Sequence, residues 1–552
     1  MAAFTDRPPK FTFTSSAFPD DTFTVVHFQG SEGLSWCYDF EIELVSDQRD
    51  LDLEEIVSSP ACFTIKRDGQ GGDVPFHGLV SRFEQRHYVG GYAFYRARLM
   101  PRLWWLHYTR HNQIFLNKSL EELLSALLDD AGFSGADYGF SLVEDYGDPY
   151  EYVCQYGESH LNFFSRWLQH QGLYYYFEQD QGFDKLMVTD NRHVHGNMAQ
   201  GKDLKYAPPS GLTWSAVDEV LVDFKARVSQ VPAKLTSKDY NYRTPSLDLT
   251  AEVDVVSDGQ GEVYLYGQHA RTKKESQRLA EVRAQAHRCR QMRYLGRGSV
   301  PYVRTGYIFS LKDHYREDFN TSYMVIRAQH EGHQVGYLIS GLRSVLSKRE
   351  QEMDYRNSFE AVDSSVQYRS RLTSRKPAIQ GFLSAKIDAS GTGQYAQLDE
   401  WGRYKIKLPF DESGRGEGKA SAWMRMMQPY QGTNYGMHCP LHKGTEIMLT
   451  FVEGDPDRPI IASAAPNPEK FSPVTSANSS QSMLRTAGKN MLRMEDKEGK
   501  EQIFATTPNA GTYFTMGDPA GGKPPEIPGF DGLDEHMKAA QEQAKAMENK
   551  NG

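Results

Sequence analysis

Gly454-Asp455-Pro456-Asp457-Arg458-Pro459-Ile460-Ile461, set directly behind the alternating run Glu446-Ile447-Met448-Leu449-Thr450-Phe451, decides how the C-terminal part of the chain folds. Pro456 and Pro459 fix φ and remove two amide donors, while the carboxylates of Asp455 and Asp457 are placed to accept from nearby backbone amides. The stretch predicts a tight turn joining two strands of a small barrel. Upstream, Tyr404, Ile406 and Leu408 alternate with Lys405 and Lys407, and further strands are expected at Trp423 and Ile447. Five or so such strands within residues 377–465 suit a Greek-key barrel of the oligosaccharide/oligonucleotide-binding (OB) type.

Beyond the barrel, a Pro/Ser/Asn stretch from Pro466 to Gln481 precedes four brief apolar pairs: Met483-Leu484, Met491-Leu492, Ile503-Phe504 and Tyr513-Phe514. Each pair sits between polar turns, and the pairs recur every 8 to 12 residues. So few short strands cannot enclose a core alone, because stacked repeats need neighbours to cover their apolar faces. The expectation is a threefold prism over residues 482–516, in which three copies intertwine around these eight side chains and close the exposed strand edges. After a Pro/Gly stretch from Asp518 to Gly529, Leu533, Met537, Ala540, Ala544 and Met547 are spaced four, three, four, three, a short heptad seam. That seam reads as a threefold bundle, an adaptor-bound helix or a frayed tail, helices this short being marginal in water.

Working towards the N-terminus, residues 348–376 are polar and read as a link between domains. Before them, a helix is expected over about Glu275–Leu295, followed by a strand at Tyr307–Leu311. Another runs from Ser159 to Gly172, with the strand Leu173–Glu178 behind it. Ser119 and Glu122 form a capping box ahead of the stripe Leu120, Leu123, Leu124, Leu127 and Leu128, which stops at Gly132. From Phe11 to Arg110 the chain alternates repeatedly, as in Phe23–Phe28, Tyr38–Leu44 and Tyr92–Leu99, and a barrel-like β domain is expected there. With 31 Tyr and 29 Phe among many Gly and Pro, the chain as a whole reads as mainly β with some helices.

The net charge of −10 argues against a general grip on nucleic acid, which needs a concentrated basic surface. Protein partners are expected instead. Cys37, Cys62, Cys154, Cys289 and Cys439 are scattered and odd in number, as suits a reducing cytoplasm. The N-terminus lacks an apolar signal-peptide core, and no run approaches the roughly 20 apolar residues that span a bilayer. The protein is expected to be made soluble in the cytoplasm and, if exported, carried by a dedicated machine.

Candidate chemistry is sparse. His438, Cys439 and His442 put three soft donors within five residues and would grip zinc only with a fourth ligand from elsewhere; a loop at the barrel corner is the competing reading. His193 and His195 flank Val194 in what reads as a solvated turn. Asp455 with Asp457, or Glu158 with Asp180, would serve as a glycosidase pair only across a cleft that nothing in the sequence locates. No Gly-rich phosphate loop, G-x-S-x-G elbow or H-E-x-x-H helix occurs. No catalytic residue and no cofactor are therefore assigned.

Several stretches, taken in order, resemble the valine-glycine repeat protein G (VgrG) family, the trimeric spike of bacterial type VI secretion, related to the hub and cell-puncturing proteins of contractile phage tails. They are Leu99–Leu106, Gln155–Arg166 with Gly172–Phe177, Asp318–Val325 with His330-Glu331, Asp399–Arg403, Gln428–Gly432 and Gly454–Ile461. His160 stands where the family usually has an acidic residue, and Pro440–Gly444 replaces its usual Pro-Arg-x-Gly corner. The resemblance implies a hub over residues 1–375, an OB barrel over 376–466, a linker over 467–481, a trimeric prism over 482–516, and a linker with a possible C-terminal docking helix over 517–552. It also implies a set of partners: a hexameric tail tube protein, baseplate proteins, a tip-capping adaptor of the Pro-Ala-Ala-Arg repeat type, and an effector or effector chaperone. Membrane contact would be transient, during puncturing, and the spike would be secreted or injected without a signal peptide. A phage spike of this kind can insert a lysozyme domain between barrel and prism. Here only Pro466–Gln481 lies between them, short of the 50 or so residues a domain requires, and the 36 residues after Met516 are too few for an appended toxin. Two other readings stand beside the secretion spike: a tail spike of a contractile phage or prophage, and a cell-wall polysaccharide hydrolase.

Overall fold

The period-two runs of the N-terminal part become the strands Phe11–Ser15, Thr24–Gly33, Trp36–Ser46, Pro60–Ile65, Val74–Val89 and Tyr92–Met100. They join Ser322–His333, Asp354–Asp363, Met292–Gly298 and Leu221–Val228 along one continuous path, with Ile308–Lys312 and Asp203–Lys205 branching from it, to make a 12-stranded sheet. The computed structural model describes residues 9–67, 71–179, 182–199, 201–208, 219–334 and 354–517, and the chain is mainly β. Contacts divide it into two units: unit 1 is Met1–His111, Asn117–Glu151 and Gln155–Pro377, and unit 2 is Asn112–Leu116, Tyr152–Cys154 and Ala378–Gly552.

Unit 1 is built on aromatic packing. Phe11, Phe28, Phe40, Phe63 and Phe76 are at most 1% exposed, with ring centroids 4.3 Å apart for Phe40 and Phe76 and 4.5 Å for Phe28 and Phe63. Such pairs add about 0.5–1.5 kcal/mol each beyond the area they bury. The strands approach closely enough that a Cβ on Gly30 would lie 2.1 Å from the Phe40 ring, so only glycine fits opposite that phenylalanine. Gln334 fastens the edge strand by accepting from the Phe11 amide at 2.9 Å and donating to the Phe11 carbonyl at 2.8 Å.

The three longer helices among the described residues of this unit follow from their sequences. The capping box at Ser119 and Glu122 starts Leu120–Asp130, whose five leucines are all buried. Ser159 accepts from the Asn162 amide and starts His160–Gln171, which ends at Gly172 with φ +85°. The third helix spans Lys273–Arg288 and is shorter than its expected reach to Leu295. Met292–Gly298 leaves the helix to pair with both Leu221–Val228 and Asp354–Asp363, so ladder bonding overrides local helix propensity there. The expected polar link over 348–376 is corrected by the same pairing. Tyr355, Asn357, Phe359 and Ala361 are buried at alternate positions of the strand, Val362 is buried beside them, and the remaining residues are polar.

In unit 2 the opening stretch does what its residues dictate. Glu446–Phe451 and Pro459–Ala464 pair antiparallel, and the Asp455 carbonyl accepts the Arg458 amide at the turn between them. The Asp455 carboxylate accepts the Asp457 amide at 2.9 Å, and the Asp457 carboxylate accepts the Cys154 amide at 2.6 Å. Four strands run in the order 405–407, 383–388, 446–451, 459–464. Residues 424–427 then bridge the two ends, Met424 to Tyr404 and Met426 to Ile461, which closes a five-segment barrel. Tyr404, Ile406 and Leu408 fill its interior with Ile387, Ile447, Leu449 and Ile461. Lys405 does not stand free on the outside: its Nζ donates to the Ser421 carbonyl at 2.9 Å and lies over the Trp423 ring.

Candidate assembly face on the terminal sheet

Past the barrel, Gln481–Arg485, Met491–Glu495, Gln502–Thr506 and Tyr513–Met516 form a four-stranded antiparallel meander. Its register sorts the side chains, because successive residues of a strand face opposite sides. One row runs Ser482, Met494, Ile503, Met516, and the next runs Leu484, Leu492, Ala505, Phe514. All eight lie on one face, and none is charged. Six of them are large and apolar, and all six are exposed, from 40% for Leu492 to 59% for Phe514.

The apolar pairs read from the sequence are thereby split. Leu484, Leu492, Ile503 and Phe514 belong to this uncovered face, whereas Met483, Met491, Phe504 and Tyr513 belong to the other. That second face also carries Arg485, Arg493 and Glu495, and there Phe504 is 2% exposed beneath the Arg493 guanidinium, 5.2 Å from its ring. Met494 and Met516 were missed by reading adjacent pairs, although an i, i+2 count from Leu492 and Phe514 finds both. Among the described residues, no strand pairs with the outer edge of Gln481–Arg485 or of Tyr513–Met516. Leu533, Met537, Ala540, Ala544 and Met547 lie outside the described residues.

Nothing resembling a chemical centre is assembled from the other candidates. Nε2 of His438 is engaged by the Tyr404 hydroxyl at 2.7 Å, the His442 ring packs on Tyr395, and Cys439 is exposed. Among the described residues no group of three or more His, Cys, Asp or Glu could hold a metal ion. Within one copy, the described residues therefore do not bring His438, Cys439 and His442 into such a group. His193 lies in a short 3-10 turn and is exposed, but His195 is buried, contrary to the solvated reading. Its Nδ1–H donates to the Gly306 carbonyl at 2.8 Å and its Nε2 accepts from the Tyr174 hydroxyl at 2.9 Å.

Glu158 is bound to Arg166 in a buried ion pair, Nη2 to Oε1 2.9 Å, and Asp180 lies outside the described residues. His160, the departure from the acidic family position, is fully buried. Its Nε2 donates to Asp130 at 2.7 Å, and burial first of all lowers its pKa, so the ring is a neutral connector between two helices. No helix among the described residues is long and apolar enough to cross a membrane.

Comparison with known proteins agrees with this architecture. Residues 31–336 match the family described as phage tail baseplate hub (GPD), and residues 396–465 match the type VI secretion system/phage-baseplate injector OB domain. The type VI secretion system spike protein VgrG4b of Pseudomonas aeruginosa is 29% identical over 497 residues, covering 87% of this chain and 60% of that protein. Spike protein VgrG1b of the same organism is 29% identical over 489 residues, covering 86% and 64%. The chain thus spans less than two thirds of the length of these relatives. Among solved structures, the E. coli c3393 protein, a type VI secretion component with structural similarity to the T4 phage tail proteins gp27 and gp5, aligns with TM-score 0.58 at 20% identity, covering 82% of this chain and 99% of that one. The VgrG-containing PdpA-VgrG complex of Francisella, in its lidded form, gives TM-score 0.58 at 12% identity, covering 92% and 78%. These two likenesses show the fold.

Proposed function

The chain belongs to the phage tail baseplate hub family, and from that premise we propose that it is the trimeric spike of a type VI secretion system, seated on the tail tube and driven mechanically into a target envelope. The observation that carries this reading is the uncharged apolar face of the terminal sheet, exposed in a single copy and bounded by two open strand edges. Fully burying one such side chain contributes about 1.5–3 kcal/mol, and six on each copy supply a large incentive to associate. Three copies sharing one core would tie unfolding of each chain to strand pairings with the others, which raises the unfolding barrier and suits a part that bears load.

The domain reading goes with it: a hub over 1–375, the OB barrel over 376–466 as a collar, and a prism over 482–516 that ends at a tip adaptor of the Pro-Ala-Ala-Arg repeat type. A hexameric tube protein and baseplate proteins would meet the hub. Carriage of an effector is supported by the PdpA-VgrG complex among the solved structures of this fold. With a net charge of −10 per copy, assembly would triple the negative charge, so contacts with tube and tip would rest on shape and apolar area.

Light scattering on the purified full chain tests the core of this reading. A particle of three times the chain's mass is expected, and a well-folded monomer across a wide concentration range would end it. A contractile-phage tail spike is the second reading, supported by the baseplate description of both family matches. Neighbouring genes separate the two, since a membrane complex marks secretion and capsid and terminase mark a phage.

A further inference from the structure

In the row Leu484, Leu492, Ala505, Phe514, one side chain is small. Ala505 floors an open hollow of about 450 Å³, with Leu492 on one side and Phe514 on the other, and its rim of Thr486, Asn490, Thr507 and Thr512 is polar but uncharged. Apolar lining without partner atoms forfeits dispersion energy, so a hollow of this make is filled once its face is covered. Phe514 is the most exposed large apolar side chain on that face, at 59%.

Resting on the trimeric reading above, we propose that the hollow over Ala505 is a socket for the Phe514 ring of a neighbouring copy of this chain. Each copy then offers one ring and one socket, side by side on adjacent strands. A contact of this kind is heterologous, and a threefold rotation closes it, so that three rings fill three sockets and none is left over. A second copy suits this face: the face carries no charge for a charged partner to recognise, and its ring and its socket are complementary in kind. The open edges at Gln481–Arg485 and Tyr513–Met516 also leave both sides of the sheet accessible to neighbouring copies.

The test uses two full-length versions with different tags, one carrying Ala505→Cys and the other Phe514→Cys, expressed together and treated with a short bis-maleimide. A cross-linked product bearing both tags is expected, well above that given by either version paired with wild type; the pairing with wild type accounts for exposed Cys439. If the wild-type chain is trimeric by light scattering and the mixed product does not exceed those controls, the socket assignment is overturned while the trimer stands. If the wild-type chain is monomeric, the trimeric reading itself falls. As an independent measurement, Ala505→Phe should raise the concentration at which half the trimer is lost by at least about tenfold, the usual scale of overpacking. Adding Phe514→Ala should restore assembly by returning the removed volume, and failure of that rescue counts against the socket.

Discussion

Met494 and Ile503 stand directly opposite each other on adjacent antiparallel strands, each 40% exposed and both on the uncovered face of the terminal sheet. Among the described residues of one copy, nothing covers this cross-strand apolar pair fully. Ile503→Asp puts a charge at its centre, and burial of an unpaired charge costs several kcal/mol in each of three copies. The expected outcome is loss of the trimer by light scattering, at concentrations where the wild-type chain assembles. Lys500→Asp, in the exposed turn one strand-end away, should leave the mass unchanged. Equal behaviour of the two variants would show that the face is not buried in the assembly.

The turn that organises the barrel gives a second prediction. Asp455 is 6% exposed and its carboxylate accepts the Asp457 amide at 2.9 Å, while its backbone closes the turn through Arg458. Asp455→Ala leaves that amide without its side-chain acceptor in a buried corner, at a cost of about 1–3 kcal/mol. Asp455→Asn keeps an acceptor and should recover most of the loss. Urea unfolding of the full chain, followed by protease sensitivity of residues 378–465, is the measurement. A loss under half a kcal/mol for the alanine variant, by the same scale, would mean that the prolines alone define the turn.

These two sites differ in how openly the sequence displays them. The Asp455–Pro459 turn and the capping box at Ser119 are local, set by side chains that bond amides two or three residues away, so their signal survives without any tertiary knowledge. Strand Asp354–Asp363 is the opposite case. Its buried residues are Tyr355, Asn357, Phe359, Ala361 and Val362, and their pairing with Ser322–His333 and Met292–Gly298 distinguishes them from a polar link. Likewise the helix ending at Arg288 carries no glycine or proline to stop it; the partners of Met292–Gly298 do so from far along the chain. In the terminal sheet the four apolar pairs were legible, and with them the expectation of a core shared between copies. Which residues share the uncovered face was not, because adjacent apolar pairs conceal the two-residue period that places Leu492 with Met494 and Phe514 with Met516.

His195 provides a pH dependence. Burial lowers its pKa from 6.5 to about 4, against the opposing pull of the Gly306 carbonyl. The folded state therefore holds the ring neutral, and its contribution is fully present above pH 6.5. As pH falls from 6.5 towards 4 the unfolded chain takes up a proton that the folded chain refuses, so the contribution drains away, by up to roughly 3 kcal/mol. In a thermal-unfolding series, His195→Gln should lose this segment of the pH profile, so that its deficit relative to wild type shrinks between pH 7.5 and 4.5. Parallel profiles would show that the ring is not held neutral. The Tyr174 hydroxyl at 2.9 Å makes the neutral form the only one it can donate to.

Glu158 and Arg166 give the strongest single-site prediction in unit 1. The Arg166 guanidinium reaches both carboxylate oxygens through Nε, at 3.0 and 3.1 Å, adds Nη2 to Oε1 at 2.9 Å, and stacks over the Phe163 ring at 4.5 Å. Both side chains are about 5% exposed, so neither charge has water to fall back on. Glu158→Ala should cost about 3–5 kcal/mol, the penalty of removing the carboxylate from a buried ion pair. Replacing both members, Glu158→Leu with Arg166→Met, removes both charges together and should cost far less than the single change, because a well-packed apolar pair avoids the desolvation that the ions must offset. Tryptophan fluorescence in a urea titration reads both variants, since Trp167 lies 5.9 Å from the same guanidinium. Additive losses in the double variant would show that the two side chains act separately; a double variant more stable than either single identifies the pair as a unit that fixes the geometry of the helix His160–Gln171 at a net expense in stability.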